Sequence, residues 1–251
     1  MLNRIFAIFL RQIYILRGNP SRVFSVLYWA TIDLLIWGVL TVYLHEVGES
    51  RFDFLSFLIG AIILAHFLER IQYGVAASAL EDVWVRNFIN LFSTPLRLFE
   101  YVMGLVATSI VTTLVTLGFM VVVAKILFAY NIFQFGQLLI PFIAVLFLFG
   151  LALGIFALVF ILRLGPSAET IIWALPYSLA PFSGIYYPVA TLPIPFQYFA
   201  KILPSTYIFE GMREVVLTGS FNFEIFWISV LLALGYIVLA YLVLVYYYRL
   251  A

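Results

Sequence analysis

Apolar residues fill six long stretches of this chain, at 24–44, 54–75, 98–128, 138–162, 168–187 and 223–248. Each is long enough for a helix to cross the hydrocarbon core of a bilayer, which takes about 20 residues. The third exceeds what a bilayer needs and should tilt or project beyond it. The fifth carries Pro176 and Pro181, which should kink or split it. Ahead of the first run, Arg4 and Arg11 are seven residues apart and share a helical face, with Ile5, Phe9, Ile13 and Leu16 opposite. Residues 1–17 therefore read as an amphipathic helix lying in the membrane interface. A helical arm turned to water has the same pattern. Asn19-Pro20-Ser21 then breaks the helix and turns the chain inward.

Composition agrees with the pattern. Of 251 residues, 65% are hydrophobic and 10% charged, with mean hydropathy +1.14, whereas soluble domains carry about 25% charged residues. Aromatic residues make up 19%, more than interfacial belts require, so some rings should line a path or pack the bundle. A net charge of +1 argues against nucleic acid as a partner. The absence of cysteine excludes disulfides and thiolate metal sites. The first apolar stretch is interrupted by Arg4, Arg11 and Arg17, so it is not read as a cleavable signal peptide. No repeat stands out, and residues 1–251 read as one membrane domain.

Orientation follows from basic residues at the ends of the runs. With the N-terminus inside, the inner side collects Arg4, Arg11, Arg17, Arg22, Arg70, Arg86, Arg97, Arg163 and Arg249. The outer side receives Arg51, Lys125, Lys201 and Arg213. Both termini are thus expected in the cytoplasm, with the protein in the inner (plasma) membrane. The last outer connection, 188–222, holds Pro193, Pro195 and Pro204 yet is too apolar for a loop in water. Short helices dipping back into the membrane fit it better.

Between the second and third runs lies the polar interruption LEDVWVRNFINLFSTPLR, residues 80–97. Read as a helix over 80–92, it puts Trp84, Phe88 and Leu91 on one stripe, with Glu81, Asp82, Arg86 and Asn90 at its flanks. An aromatic knob with charged shoulders suits a groove on a soluble partner. A helix packed flat against its own bundle reads the same way.

The stretch RNFINLFSTPLRLFEYVMG resembles the coupling-helix region of ABC-2 type transporter permeases. YWATIDLLIWG in the first run is similar to theirs, and LPSTYIFEGMREVVLTG resembles a family stretch through Leu203, Pro204, Thr206, Tyr207, Glu210 and Arg213. Order, spacing and the six-run layout extend the resemblance over nearly the whole chain. It implies an all-α membrane protein of six transmembrane helices, with an N-terminal interfacial helix, a cytoplasmic coupling helix and outer re-entrant helices. It also implies a two-fold pair of permease subunits (a homodimer in the simplest case) worked by two copies of a separate ATPase subunit. The chain has no G-x-x-x-x-G-K-[ST], so ATP and Mg are expected on that partner and no cofactor on this chain. The family implies export of an amphipathic drug, lipid or lipid-linked glycan.

Under that reading, Glu81, Asp82, Trp84, Arg86, Phe88 and Leu91 are the candidates for coupling to the ATPase. Asp33, Tyr177, Phe182, Tyr186, Glu210 and Arg213 are the candidates for the pathway or its gate. A carboxylate at Asp33, inside a span, must face the bundle, a partner or water, and it fits a pathway residue or a hydrogen-bond anchor to Tyr28, Thr31 or a neighbouring helix. Glu69 and Arg70 read as closing the second span. Glu210, Arg213 and Glu214, at i, i+3 and i+4, share a face that can gate or merely solvate an outer helix. An enzyme is not expected. His45-Glu46 lacks the closing histidine of a zinc motif, that position being Glu49; His66 shows no matching acid beyond Glu69; and no G-x-S-x-G occurs. An ion-coupled secondary transporter or a non-transporting assembly factor remains the alternative.

Overall fold

The computed structural model describes residues 1–47 and 54–250; Arg51, assigned to the outer side, and Glu49 lie outside the described residues. The described chain is helical, with α1 Leu2–Gly18, α2 Pro20–Val47, α3 Phe54–Trp84, α4 Phe88–Phe92 and α5 Leu98–Phe128. Then follow α6 Leu139–Leu164, α7 Glu169–Leu179, α8 Ile194–Ala200, α9 Pro204–Thr218 and α10 Phe223–Leu250. Among the described residues, five stretches are long and apolar enough to cross a membrane: Pro20–Leu44, Phe57–Trp84, Leu98–Phe128, Ile132–Phe182 and Phe223–Leu250. The expectation of an all-α membrane protein holds.

The 51-residue stretch Ile132–Phe182 contains the fourth expected span and the fifth as far as Phe182. Gly165 divides it, with φ 57° and ψ −134°, a backbone position that a side chain would strain. Beyond it α7 has 11 residues, about 16 Å of helix, and is shorter than the expected 168–187. Pro176 lies inside α7, and Pro181 sits in a 3-10 turn at Ala180–Phe182 where the α-helix stops. A proline removes one ladder bond and crowds the preceding turn, so the helix gives way where the second one follows.

α3 and α6 form the buried centre, while α2, α5 and α10 leave most of their apolar surface on the outside. Such a surface is what lipid or a second subunit covers. α3 is longer than the second apolar run because it continues through Glu81 and Asp82 to Trp84. There Arg86, at φ 52°, reverses the backbone, and the bonds Asn87 N–H to Asp82 O (2.8 Å) and Arg86 N–H to Val83 O (3.0 Å) close the helix. This is a left-handed helix cap made by arginine in place of the usual glycine. The helix expected over 80–92 is therefore two helices meeting at a turn.

α1 forms as expected but presents its arginine face to the protein. Ile8 and Gln12 are buried, and Ile8 sits over Gly104 of α5. A Cβ at Gly104 would fall 2.5 Å from Ile8 Cγ2 and 2.6 Å from its Cβ, so only glycine permits this crossing. Gly104→Ala is expected to lever α1 outward and destabilise the protein by about 1–3 kcal/mol, the usual penalty for overpacking. An unchanged thermal midpoint in detergent would show that α1 is not seated there.

The chain ends meet on one side of the bundle. Arg22 of α2 pairs with Glu81 at the end of α3, Gly165 lies beside Val83, and Arg163 donates to the Tyr247 hydroxyl of α10 (3.3 Å). At the other side α8 and α9 close the bundle. α9 buries Ile208, Phe209, Met212 and Arg213 against it, which explains the apolar composition of 188–222.

Candidate functional site

Two polar regions lie within the apolar bundle, joined by α3. The deeper one is built on aligned faces of three helices. Trp29, Asp33 and Trp37 follow at i, i+4 and i+8 on α2; His66, Glu69 and Tyr73 at i, i+3 and i+7 on α3; Trp173 and Tyr177 at i and i+4 on α7. Asp33 Oδ2 lies 2.8 Å from His66 Nε2, and Glu69 Oε2 lies 3.3 Å from His66 Nδ1. The contacts are close but not well-aligned hydrogen bonds, because both imidazole nitrogens lack a partner with hydrogen-bond geometry. The carboxylates meet opposite edges of the ring and share no common point for a metal. Asp33 thus finds its partner on a neighbouring helix, while Thr31 donates to the Leu27 carbonyl of its own helix. The acid that His66 lacks in the local sequence is Asp33.

Beside this trio opens a cleft of about 330 Å³, its floor formed by His66, Glu69, Arg70 and Gln72 and its walls by Trp29, Tyr73, Trp173 and Tyr177. Tyr73 and Trp173 pack with ring centroids 4.4 Å apart, and the Arg70 guanidinium lies 5.1 Å from the Tyr73 ring centre. Gln72 is fully buried; its amide donates to the Ile172 carbonyl (3.2 Å), while its Oε1 accepts nothing. Tyr186 stacks on Trp37 at 4.5 Å, just beyond the trio. Glu69 and Arg70 do not close a span. Fifteen residues separate His66 from Glu81 along α3 and eleven separate Arg22 from Asp33 along α2, or roughly 16–22 Å of rise from the Arg22–Glu81 pair. That rise is more than half the thickness of a hydrocarbon core of about 30 Å.

The shallower region lies where the ends of α3 and α5 meet α1. Arg11 grips Asp82 with both guanidinium nitrogens, one at 3.1 Å, and the Tyr101 hydroxyl donates to the same carboxylate at 2.8 Å. The hydrogen bond that Arg11 donates to Asp82 raises the pKa of Arg11 against the opposing effect of burial. Arg4 pairs with Glu100 at 3.2 Å, and Glu100 caps its own helix by accepting the Arg97 N–H at 2.9 Å. Asp82 is fully buried and Glu81 is occupied by Arg22, so neither is a shoulder of an exposed knob.

Phe88 and Leu91 are half-buried, Phe88 edge-on to Tyr101 at 5.6 Å, and so face the bundle. What stands out is Trp84, 51% exposed, Val85, 69%, and Ile89, 82%, with Arg86 and Asn90 beside them. Val85 and Ile89 were not singled out by the helical pattern, because the stripe drawn through Trp84, Phe88 and Leu91 assumed an unbroken helix.

The remaining candidates gather at the opposite end. Arg213, nearly buried, donates to Glu210 and to the Gly184 carbonyl (2.6 Å) and lies over the Phe57 ring at 4.3 Å. Glu210 also accepts the Val189 N–H at 3.0 Å. Phe182 packs on Phe196 and Phe199 of α8 and is not among the residues lining the cleft. Tyr177 does.

Long apolar helices around a charged, aromatic-walled cleft define a multi-pass helical membrane protein. The chain belongs to the ABC-2 type transporter family, whose model matches residues 4–217, from α1 almost to the end of α9. A comparison with curated proteins finds no match. The chain is accordingly an ABC-type permease subunit, a transport component of the kind that works with an ABC ATPase.

Proposed function

We propose that this permease is the membrane half of an ATP-driven exporter, paired as a homodimer and driven by two copies of a separate ATPase subunit. In this reading the termini and the Trp84–Ile89 knob lie in the cytoplasm, and ATP and Mg bind only the partner. The cargo is amphipathic (a drug, lipid or lipid-linked glycan), and it crosses along the cleft between α2, α3 and α7, completed by the second copy.

One observation carries the reading. α3 runs unbroken from the cleft residues His66–Tyr73 to the exposed Trp84, so a push on the knob moves the cleft wall as one rigid piece. The docking surface is Trp84, Val85, Arg86 and Ile89. Phe88 and Leu91 act from inside, seating α4 on Tyr101.

Co-purification tests it. The tagged permease, expressed with the ATPase subunits of its own cell and purified gently, should retain one of them together with ATPase activity. Trp84→Ala with Ile89→Ala should weaken that association about tenfold or more, as loss of two interface anchors does, while leaving the thermal midpoint unchanged. A wild-type chain that carries no ATPase under these conditions would overturn the proposal. The Asp33–His66–Glu69 trio favours one second reading, an ion-coupled carrier, because such carriers place ionisable groups at mid-membrane. Transport abolished by a protonophore but indifferent to ATP depletion would select it.

A further inference from the structure

The cleft has a feature that an amphipathic cargo alone does not require: Glu69 and Gln72 bring acceptors to a space walled by π faces, with Asp33 behind them on the far edge of His66. Asp33 and Glu69 bring two carboxylates from two helices onto one imidazole. Gln72, fully buried on the cleft floor, carries an unpartnered acceptor oxygen. Neither imidazole nitrogen has a well-aligned partner, so His66 can yield the carboxylates to a competing donor. Trp29, Trp173 and Tyr177 stand exposed at the cleft mouth. Aromatic faces attract cations, and the cleft already displays this in Arg70 over Tyr73. Arg70, with Tyr73 beneath it and no carboxylate in ion-pair contact among the described residues, keeps the unloaded site near electrical balance.

Resting on the transporter reading above, we propose that the cleft selects lipophilic organic cations: molecules with an aromatic or apolar body and one positive centre. The positive centre sits against the Glu69 carboxylate on the cleft floor, and Asp33 adds its charge from the far edge of His66. The body lies between Trp29 on one helix and Trp173 and Tyr177 on another. Anionic amphiphiles are rejected, because two carboxylates within the apolar bundle have too little water to screen them.

Tetraphenylphosphonium and tetraphenylborate test this, being alike in shape and opposite in charge. Quenching of tryptophan fluorescence is recorded for the full-length permease in nanodiscs of neutral lipid. The phosphonium should bind saturably and the borate should not. Asp33→Asn with Glu69→Gln should weaken phosphonium binding about tenfold or more, the loss expected of charge-assisted contacts. Asp33→Glu should recover most of it, which a merely misfolded site would not. Equal binding of the two ions by the wild type, or equal phosphonium binding by wild type and double variant, would overturn the proposal. The transporter reading is scored apart, by ATPase co-purification. An ATPase-bearing permease that ignores the phosphonium sinks the cation site alone. Charge-selective binding without an ATPase leaves the site standing and removes the exporter.

Discussion

Replacing Arg11 by alanine should destabilise the protein by about 3–5 kcal/mol, the range measured when one member of a buried ion pair is removed. The reason is asymmetry of burial. Asp82 is fully enclosed, so without Arg11 its carboxylate keeps only the Tyr101 hydroxyl and has no route to water. Arg11 is partly exposed on α1, and without Asp82 its guanidinium can reach solvent. Asp82→Ala should therefore harm less than Arg11→Ala, by about half. The double variant should be more stable than Arg11→Ala alone, because it no longer buries an unpaired charge. Denaturant or thermal melts of the three variants in one detergent settle the order. Equal losses from both single variants would refute the burial argument. The contact also ties α1 to the last turn of α3, two residues before Trp84.

Arg213→Ala should cost about 3 kcal/mol. Its guanidinium joins three separate segments: Glu210 on α9, the carbonyl of Gly184 beyond α7, and the Phe57 ring on α3. Removal leaves the buried Gly184 carbonyl without its side-chain donor, leaves the partly exposed Glu210 with only the Val189 N–H, and forfeits the cation–π contact. Lysine should recover the charge and little else, since one ammonium cannot hold two acceptors in a planar fork. Limited proteolysis of 184–203 in the alanine variant, beside its melting curve, reads out whether the α8–α9 cap has come loose. A variant that resists protease and melts like the wild type would show that Arg213 does not hold the cap. Glu210 and Arg213 thus act as a clasp on the end of the bundle closed by α8 and α9.

The two ends of the molecule are fastened in different ways, and the difference bears on motion. At the end bearing α1, Arg4, Arg11 and Arg22 each bridge distant segments through side-chain ion pairs. At the other, short helices α8 and α9 pack by apolar burial with one ionic clasp. Ion pairs exchange partners readily in an aqueous interface, whereas close-packed apolar contacts move as blocks. A push on the knob is thus expected to rearrange the first end while the α8–α9 cap responds as a unit.

Local sequence determined the elements of this protein. The apolar runs, the interfacial helix ending before Asn19-Pro20, the third helix at 98–128 and the break near Pro176 and Pro181 all depend on residues within a few turns of one another. Helix formation and insertion in lipid respond to such neighbours. Tertiary structure alone decided the partnerships. Arg11 and Asp82 stand 71 positions apart, and Asp33 meets His66 only because α2 lies against α3. The choice of face was equally hidden, since helices apolar all round carry no stripe to show which side is inward. So it was with Arg86: its left-handed cap arises where glycine is the usual signal, and it alone turned a predicted stripe of Trp84, Phe88 and Leu91 into an exposed Trp84 and an inward-packed Phe88 and Leu91. Periodicity records what a residue does within its own helix, while charge pairing and helix breaks of this kind are settled by which helices the packed bundle brings together.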